Sequence, residues 1–238
     1  MDFSTDFIKG INKLNKIKGN PWLVDLPRYI LGFFIVLNII AIFNYPGGTY
    51  LDHSTLGYSF IRNFLSDLGR TMSFSGEVNF LSAQLFNTTL ILAGLVFAIF
   101  YLQVRKVFMA KNQQTLAFIG SFFGILGSFS LLGVGLTPAD LYLDLHIICA
   151  TWLFRFFFVA SICYTLVIYR HSQFENKYAL GYLIFSICIL LYIIISELGP
   201  DPKVSQFALT LQVVSQKIIL LILLAAIYIQ TLGLKKLA

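Results

Sequence analysis

Residues 79–103 read NFLSAQLFNTTLILAGLVFAIFYLQ, with no Asp, Glu, Lys, Arg or Pro among them. A bilayer core about 30 Å thick is crossed by about 20 such residues in a helix. Five further segments qualify, at 27–45, 115–136, 145–169, 178–197 and 207–232. Over all 238 residues, 58% are hydrophobic and only 12% charged, and the mean hydropathy is +0.80. A soluble domain carries about 25% charged residues, so most of this surface faces something other than water. The expected fold is all-α: a polytopic membrane bundle of six transmembrane helices, one domain over 27–234.

The formal net charge of +6 does not point to nucleic acid, because Lys and Arg cluster at the ends of apolar segments. Twelve fall on one side: Lys9, Lys13, Lys16, Lys18, Arg28, Arg105, Lys106, Lys111, Arg170, Lys177, Lys235 and Lys236. Three fall on the other: Arg62, Arg70 and Lys203. The positive-inside rule then puts both termini in the cytoplasm of a cell membrane. Residues 1–26 form a basic segment, with Phe3, Phe7, Ile11, Leu14 and Ile17 at helical spacing and Lys9, Lys13 and Lys16 on another face. This fits an amphipathic helix on the inner leaflet; a frayed tail is the alternative. The first apolar run begins near Tyr29 with no small-x-small site after it, which argues against a cleaved signal peptide.

Local signals punctuate the spans. Asp25-Leu26-Pro27 starts the first, with Pro in the first turn, and Tyr45-Pro46-Gly47-Gly48 ends it. Gly120, Gly124 and Ser128 recur at four-residue spacing in the third, a row that lets helices pack closely. Cys149, Cys163 and Cys188 lie in apolar stretches without paired spacing, so they read as packing residues.

Polar residues inside the spans carry the functional information. Ser82, Gln84, Asn87, Thr88 and Thr89 occupy the outer half of the second span, and Leu90 to Leu102 below them is almost wholly apolar. The sixth span repeats this, with Thr210, Gln212, Ser215, Gln216 and Lys217 above an oily run, and the fourth carries His146, Thr151 and Arg155. Polar groups there face the bundle interior or a wet cavity, so a pocket open outward and closed inward is expected. Arg155 follows Asp144 by eleven residues, roughly 16 Å along one helical face. Arg155 and Lys217 each cost roughly 2.5–3.5 kcal/mol at the membrane centre unless paired or hydrated. An ion pair with Asp67, Asp140 or Glu197 answers that need; so does an anionic ligand, since Arg forks onto phosphate. The ligand set is Arg155, Lys217, Ser66, Asp67, Asn87 and Gln216.

The first outer loop, 46–78, is long and apolar, with Ile61, Leu65 and Leu68 at helical spacing. It predicts a short helix at the mouth of the bundle, ended by Gly69. Ser66 and Asp67 either satisfy that helix end or hang over the pocket. In the second outer loop, Asp140-x3-Asp144-x-His146 supplies carboxylates and an imidazole that bind Zn, Mn or Mg or do acid–base work. On one regular helix His146 points about 200° from Asp144, so the three converge only if the helix starts after Asp144. Helix capping by Asp140 is the plain alternative. His53 is a further possible ligand, and His171 reads as a solvated inner-loop residue.

Two motifs resemble a known family. Ser66-Asp67-Leu68-Gly69 and the Gly135-x-x-Pro138-x-Asp140 to His146 stretch are similar to an uncharacterised prokaryotic six-helix membrane family, domain of unknown function 998. The resemblance implies that Ser66, Asp67, Gly69, Pro138, Asp140 and His146 are signature positions, and it supplies no reaction. More distantly, the first loop resembles that of the Frag/DRAM/Sfk membrane proteins, with Leu65 and Leu68 in place of their Ile and Thr. That likeness implies a lipid partner. Ser66-Asp67 and His146 also resemble part of the alkaline ceramidase set, but the late paired His-x3-His is missing. Three functions therefore stand as expectations: a membrane protein binding a lipid headgroup or small anion in an outward pocket; a lipid hydrolase using Asp67, Asp140 and His146, with or without a divalent metal on Asp140, Asp144 and His146; or a transporter, against which the apolar inner halves count.

Overall fold

The computed structural model describes residues 20–109, 113–172 and 174–237. Six long helices carry the fold: α1 (Asp25–Phe43), α2 (Phe80–Val104), α3 (Gln114–Leu136), α4 (Leu143–Tyr169), α5 (Asn176–Leu198) and α6 (Gln206–Leu237). Among the described residues there is no strand, only two isolated bridges, Gly47 with Leu56 and Met72 with Val78. All six helices are long and apolar enough to cross a membrane, so the chain is a multi-pass membrane protein. The expected amphipathic segment lies, up to residue 19, outside the described residues. Helix α6 runs to Leu237, beyond the expected 232. Its last turn holds Lys235 and Lys236, whose long stems let the charges reach water while the backbone stays helical.

The helices present apolar side chains outward, Val36, Phe43, Phe122, Phe129 and Leu221 among them. Soluble monomers rarely expose contiguous apolar patches beyond a few hundred Å², and hydrocarbon solvates such a surface. Each helix packs on its chain neighbours, and α1 closes the ring against α6. Arg28 Nε donates to Thr231 Oγ1 (2.7 Å) across that seam. The end carrying residues 44–79 is the loop end; the opposite end, where α6 finishes, is the tail end.

The small-residue row on α3 seats aromatic rings from both sides. A Cβ on Gly120 would stand 2.9 Å from Cys163 Cβ of α4, and one on Gly124 would overlap the Tyr101 ring of α2. The tail half is plugged by tyrosines. Tyr101, Tyr164 and Tyr182 lie with ring centroids 6.0 Å apart in succession. The Tyr164 hydroxyl meets Ser121 Oγ (2.6 Å), which donates to the Tyr101 carbonyl (2.7 Å). A void of about 10 Å³ lined by Phe100, Tyr164, Tyr182 and Gln230 holds at most one water. His171, expected in water, is half-buried and edge-on to Phe108 at 5.4 Å.

At the loop end the chain folds back into the bundle. The short helix expected there is a 3-10 helix, Leu65–Gly69. It spans only the last turn of the Ile61–Leu68 pattern: Leu68 is fully buried, whereas Ile61 is half exposed.

A polar plug at the loop end is the candidate functional site

Asp67 lies at the centre of the plug and is only 5% exposed. Asn63 Nδ2 donates to its Oδ2 (3.2 Å) and to the Gly48 carbonyl (2.9 Å). The Asn63 carbonyl in turn accepts from the Tyr58 hydroxyl (3.1 Å) and from Lys217 Nζ of α6 (2.5 Å). Lys217, also 5% exposed, packs against the faces of Tyr58 (5.4 Å) and Phe60 (5.1 Å). Burial pushes the Asp67 carboxyl up to about 6; the Asn63 hydrogen bond, Arg70, the Phe64 backbone and Lys217 each pull against that rise.

Four further polar side chains, from α2, α6 and the residue before α2, hold the plug by its backbone. Asn79 Nδ2 donates to the Leu68 and Arg70 carbonyls (3.0 and 2.8 Å), Ser82 Oγ to Leu68 O (3.1 Å) and Asn87 Nδ2 to Gly69 O (3.0 Å). From α6, Gln216 Oε1 accepts the Leu65 amide (2.9 Å). These bonds replace the helix-end partners that a five-residue 3-10 turn lacks. Ser66 is half-buried on the same turn.

Asp140 fastens the segment after the plug. Its carboxylate accepts the Thr71 amide (3.0 Å), the Thr71 hydroxyl (2.5 Å) and the Met72 amide (2.9 Å). Burial alone would raise this carboxyl, but those donors hold it below the usual carboxylate range. His146 is buried one turn into α4, its Nδ1 2.7 Å from the Thr137 carbonyl. That partner requires the hydrogen on Nδ1 and leaves Nε2 as an acceptor. Because α4 begins at Leu143, before Asp144, the condition for Asp140, Asp144 and His146 to converge is not met. Asp144 is exposed while His146 points inward. Among the described residues, no three His, Cys, Asp or Glu side chains are grouped to hold a metal. His53 is exposed beside Phe74. Arg155 makes a contact ion pair with Glu197 of α5 and donates to the Thr151 carbonyl (3.2 Å), away from Lys217's partners. Gln84 and Thr88 face outward, and Thr89 bonds back to its own helix.

Asn63, Tyr58, Arg70, Thr71 and Asn79 were not among the site residues read from the sequence. Asn63 sits four residues before Asp67, the one local signal that the two could meet. Arg70 donates through Nε to Met72 O (3.2 Å) and lies over the Phe74 ring at 4.0 Å. Gly69 permits the close fit: a Cβ there would stand 2.7 Å from the Phe86 ring and overlap the Asn87 side chain. Gly69→Ala is therefore expected to cost about 1–3 kcal/mol by overpacking, lowering the melting temperature of the detergent-purified protein by several degrees. Unchanged melting would mean that the turn is not seated tightly on α2.

Fold and site together define a six-span membrane protein whose mouth is closed by an inserted, hydrogen-bonded turn around a buried acid and a buried amine. The chain belongs to the family described as Protein of unknown function (DUF998), whose model matches residues 39–227. That span covers the plug and parts or all of every helix. No curated protein matches the chain, and no solved structure does; the likeness to the Frag/DRAM/Sfk proteins rests on the loop motif alone.

Proposed function

We propose that the protein sits in the cell membrane with both termini in the cytoplasm, and that its outward loop end receives an anionic lipid headgroup or small anion on Lys217. One observation carries this reading. Among the described residues, Lys217 is a buried ammonium with one hydrogen-bond acceptor, the Asn63 carbonyl, and otherwise two aromatic faces. Among the described residues it makes no ion pair with a carboxylate, whereas Arg155 does. An ammonium has three donors, and a buried cation short of partners favours an anion. Arg70, which among the described residues makes a hydrogen bond to Met72 O and lies on the Phe74 face without a contact ion pair, adds a second cation to the same mouth. Phe60, 59% exposed, covers Lys217 from outside and is the natural entry for a lipid. Arg155 then serves as an α4–α5 lock.

Native mass spectrometry of the detergent-purified protein tests this. The parent is expected to retain phosphatidylglycerol over phosphatidylcholine, and Lys217→Met to lower that retention at least tenfold. The Asn63 carbonyl keeps the Tyr58 hydroxyl in the variant, so the plug is expected to stay folded. Titration with inorganic phosphate separates a small-anion site from a lipid site. Equal retention by parent and Lys217→Met would sink the proposal.

A further inference from the structure

We infer that a second site, for the phosphate of an anionic lipid, lies at the tail end in the crevice between α2 and α3. The crevice has a volume of about 460 Å³ and is lined by Arg105, Lys106, Met109, Gln114, Thr115 and Phe118. It lies at the opposite end of the bundle from Lys217 and shares no residue with the plug.

The local fold aims the two cations into it. After α2, residues Arg105–Val107 form a 3-10 turn, and Val107 and Phe108 are buried, 4% and 1% exposed. Anchoring those two side chains inward turns the preceding Arg105 and Lys106 toward the crevice. The Arg105 guanidinium lies over the Phe118 ring at 5.8 Å and has no hydrogen-bond acceptor among the described residues. Lys106 Nζ donates to Gln103 Oε1 (3.0 Å). Neither cation is paired with a carboxylate among the described residues, although at the same end Glu175 pairs with both Lys177 and Lys236. Two tail-end cations without a carboxylate partner among the described residues thus line one cavity.

The walls select the class of ligand. A guanidinium forks onto phosphate oxygens while its plane stays on an aromatic ring, and the exposed Gln114 and Thr115 side chains add hydrogen-bonding groups. Met109 and Phe118 are 50% and 54% exposed in the same crevice. Phe122, one turn further along α3, is exposed too, so an apolar stripe leads from the cations toward the bilayer centre. A free phosphate would leave that stripe unused; a phospholipid fills both parts. Basic pockets between spanning helices take anionic headgroups in this way.

The test uses the full chain in nanodiscs of phosphatidylglycerol and phosphatidylcholine, released for native mass spectrometry. The Arg105→Gln/Lys106→Gln double variant is expected to lose one retained phosphatidylglycerol, with at least tenfold lower occupancy. Both side chains lie near the surface, and an unchanged melting temperature confirms the fold. Lys217→Met is the independent arm: it leaves the tail-end lipid in place whether or not the loop-end proposal holds. Inorganic phosphate and deacylated glycerophosphoglycerol are expected to bind at least tenfold more weakly than the lipid, and Phe118→Ala to narrow that gap. Parent-like phosphatidylglycerol retention by the double variant, or headgroup fragments binding as well as the lipid, overturns the inference.

Discussion

Asp67→Asn is expected to raise the melting temperature at pH 8 and to flatten its dependence on pH between 5 and 8. Burial raises this carboxyl from 3.8 to about 6 against the opposing pull of Asn63, Arg70, the Phe64 backbone and Lys217. A raised folded value means that the folded protein holds a proton the unfolded chain releases. The stabilisation is complete below about pH 4 and is lost as pH rises through about 6. Above that, the ionised buried carboxylate costs about 3 kcal/mol relative to its protonated form. The parent should therefore melt higher at pH 5 than at pH 8, and Asp67→Asn, whose amide oxygen still accepts from Asn63, should not. Tyr45 and Tyr58 titrate above this window because burial raises their phenols, and Asp140 titrates below it. His146 and Arg70 are common to both proteins, so the difference between the two melting curves isolates Asp67. Protonation also leaves Lys217 and Arg70 less balanced, and anionic lipid retention by the parent is expected to strengthen from pH 8 to pH 5. Parallel melting curves for parent and variant would show that Asp67 is not the titrating group.

The six spans were legible because a run of apolar residues long enough to cross a bilayer has few other readings. The helix bounds differ by only a few residues, most at α6, where two lysines look like an end but extend the helix. Asp67 shows where that legibility stops. Its loop carried a helical pattern, yet its partner Asn63 is bonded to Lys217, 154 residues away, and no local pattern encodes such a pairing. Polarity in the loop-end halves was readable as a fact but not as an assignment. Asn87 and Gln216 were set down as ligand contacts, and they bind the backbone of the plug. Arg155 stood open between an ion pair with Asp67, Asp140 or Glu197 and an anionic ligand until α5 brought Glu197 against it. The Asp140–Asp144–His146 spacing depended on where α4 begins, and element ends are the least certain part of any sequence reading.

Gly124→Val is expected to lower the melting temperature by roughly 10 °C, or to prevent recovery of monodisperse protein, while Gly32→Val leaves both unchanged. The two glycines are alike in sequence, each inside an apolar span, and differ only in what surrounds them. A Cβ on Gly124 would overlap the Tyr101 ring of α2. That ring cannot retreat easily, because Tyr101 is 6% exposed, its carbonyl is held by Ser121, and it stacks on Tyr164 and Phe157. Overpacking of a fixed core costs about 1–3 kcal/mol or more, and 1 kcal/mol shifts melting by about 2–4 °C in a chain of this size. Gly32 has nothing within 4 Å of the same added atom and is exposed on α1, so a valine there meets only lipid. Thermal melts of the two variants beside the parent decide the matter. Equal melting for both would mean that the α2–α3 seam yields, and that the tyrosine cluster does not hold the tail half closed.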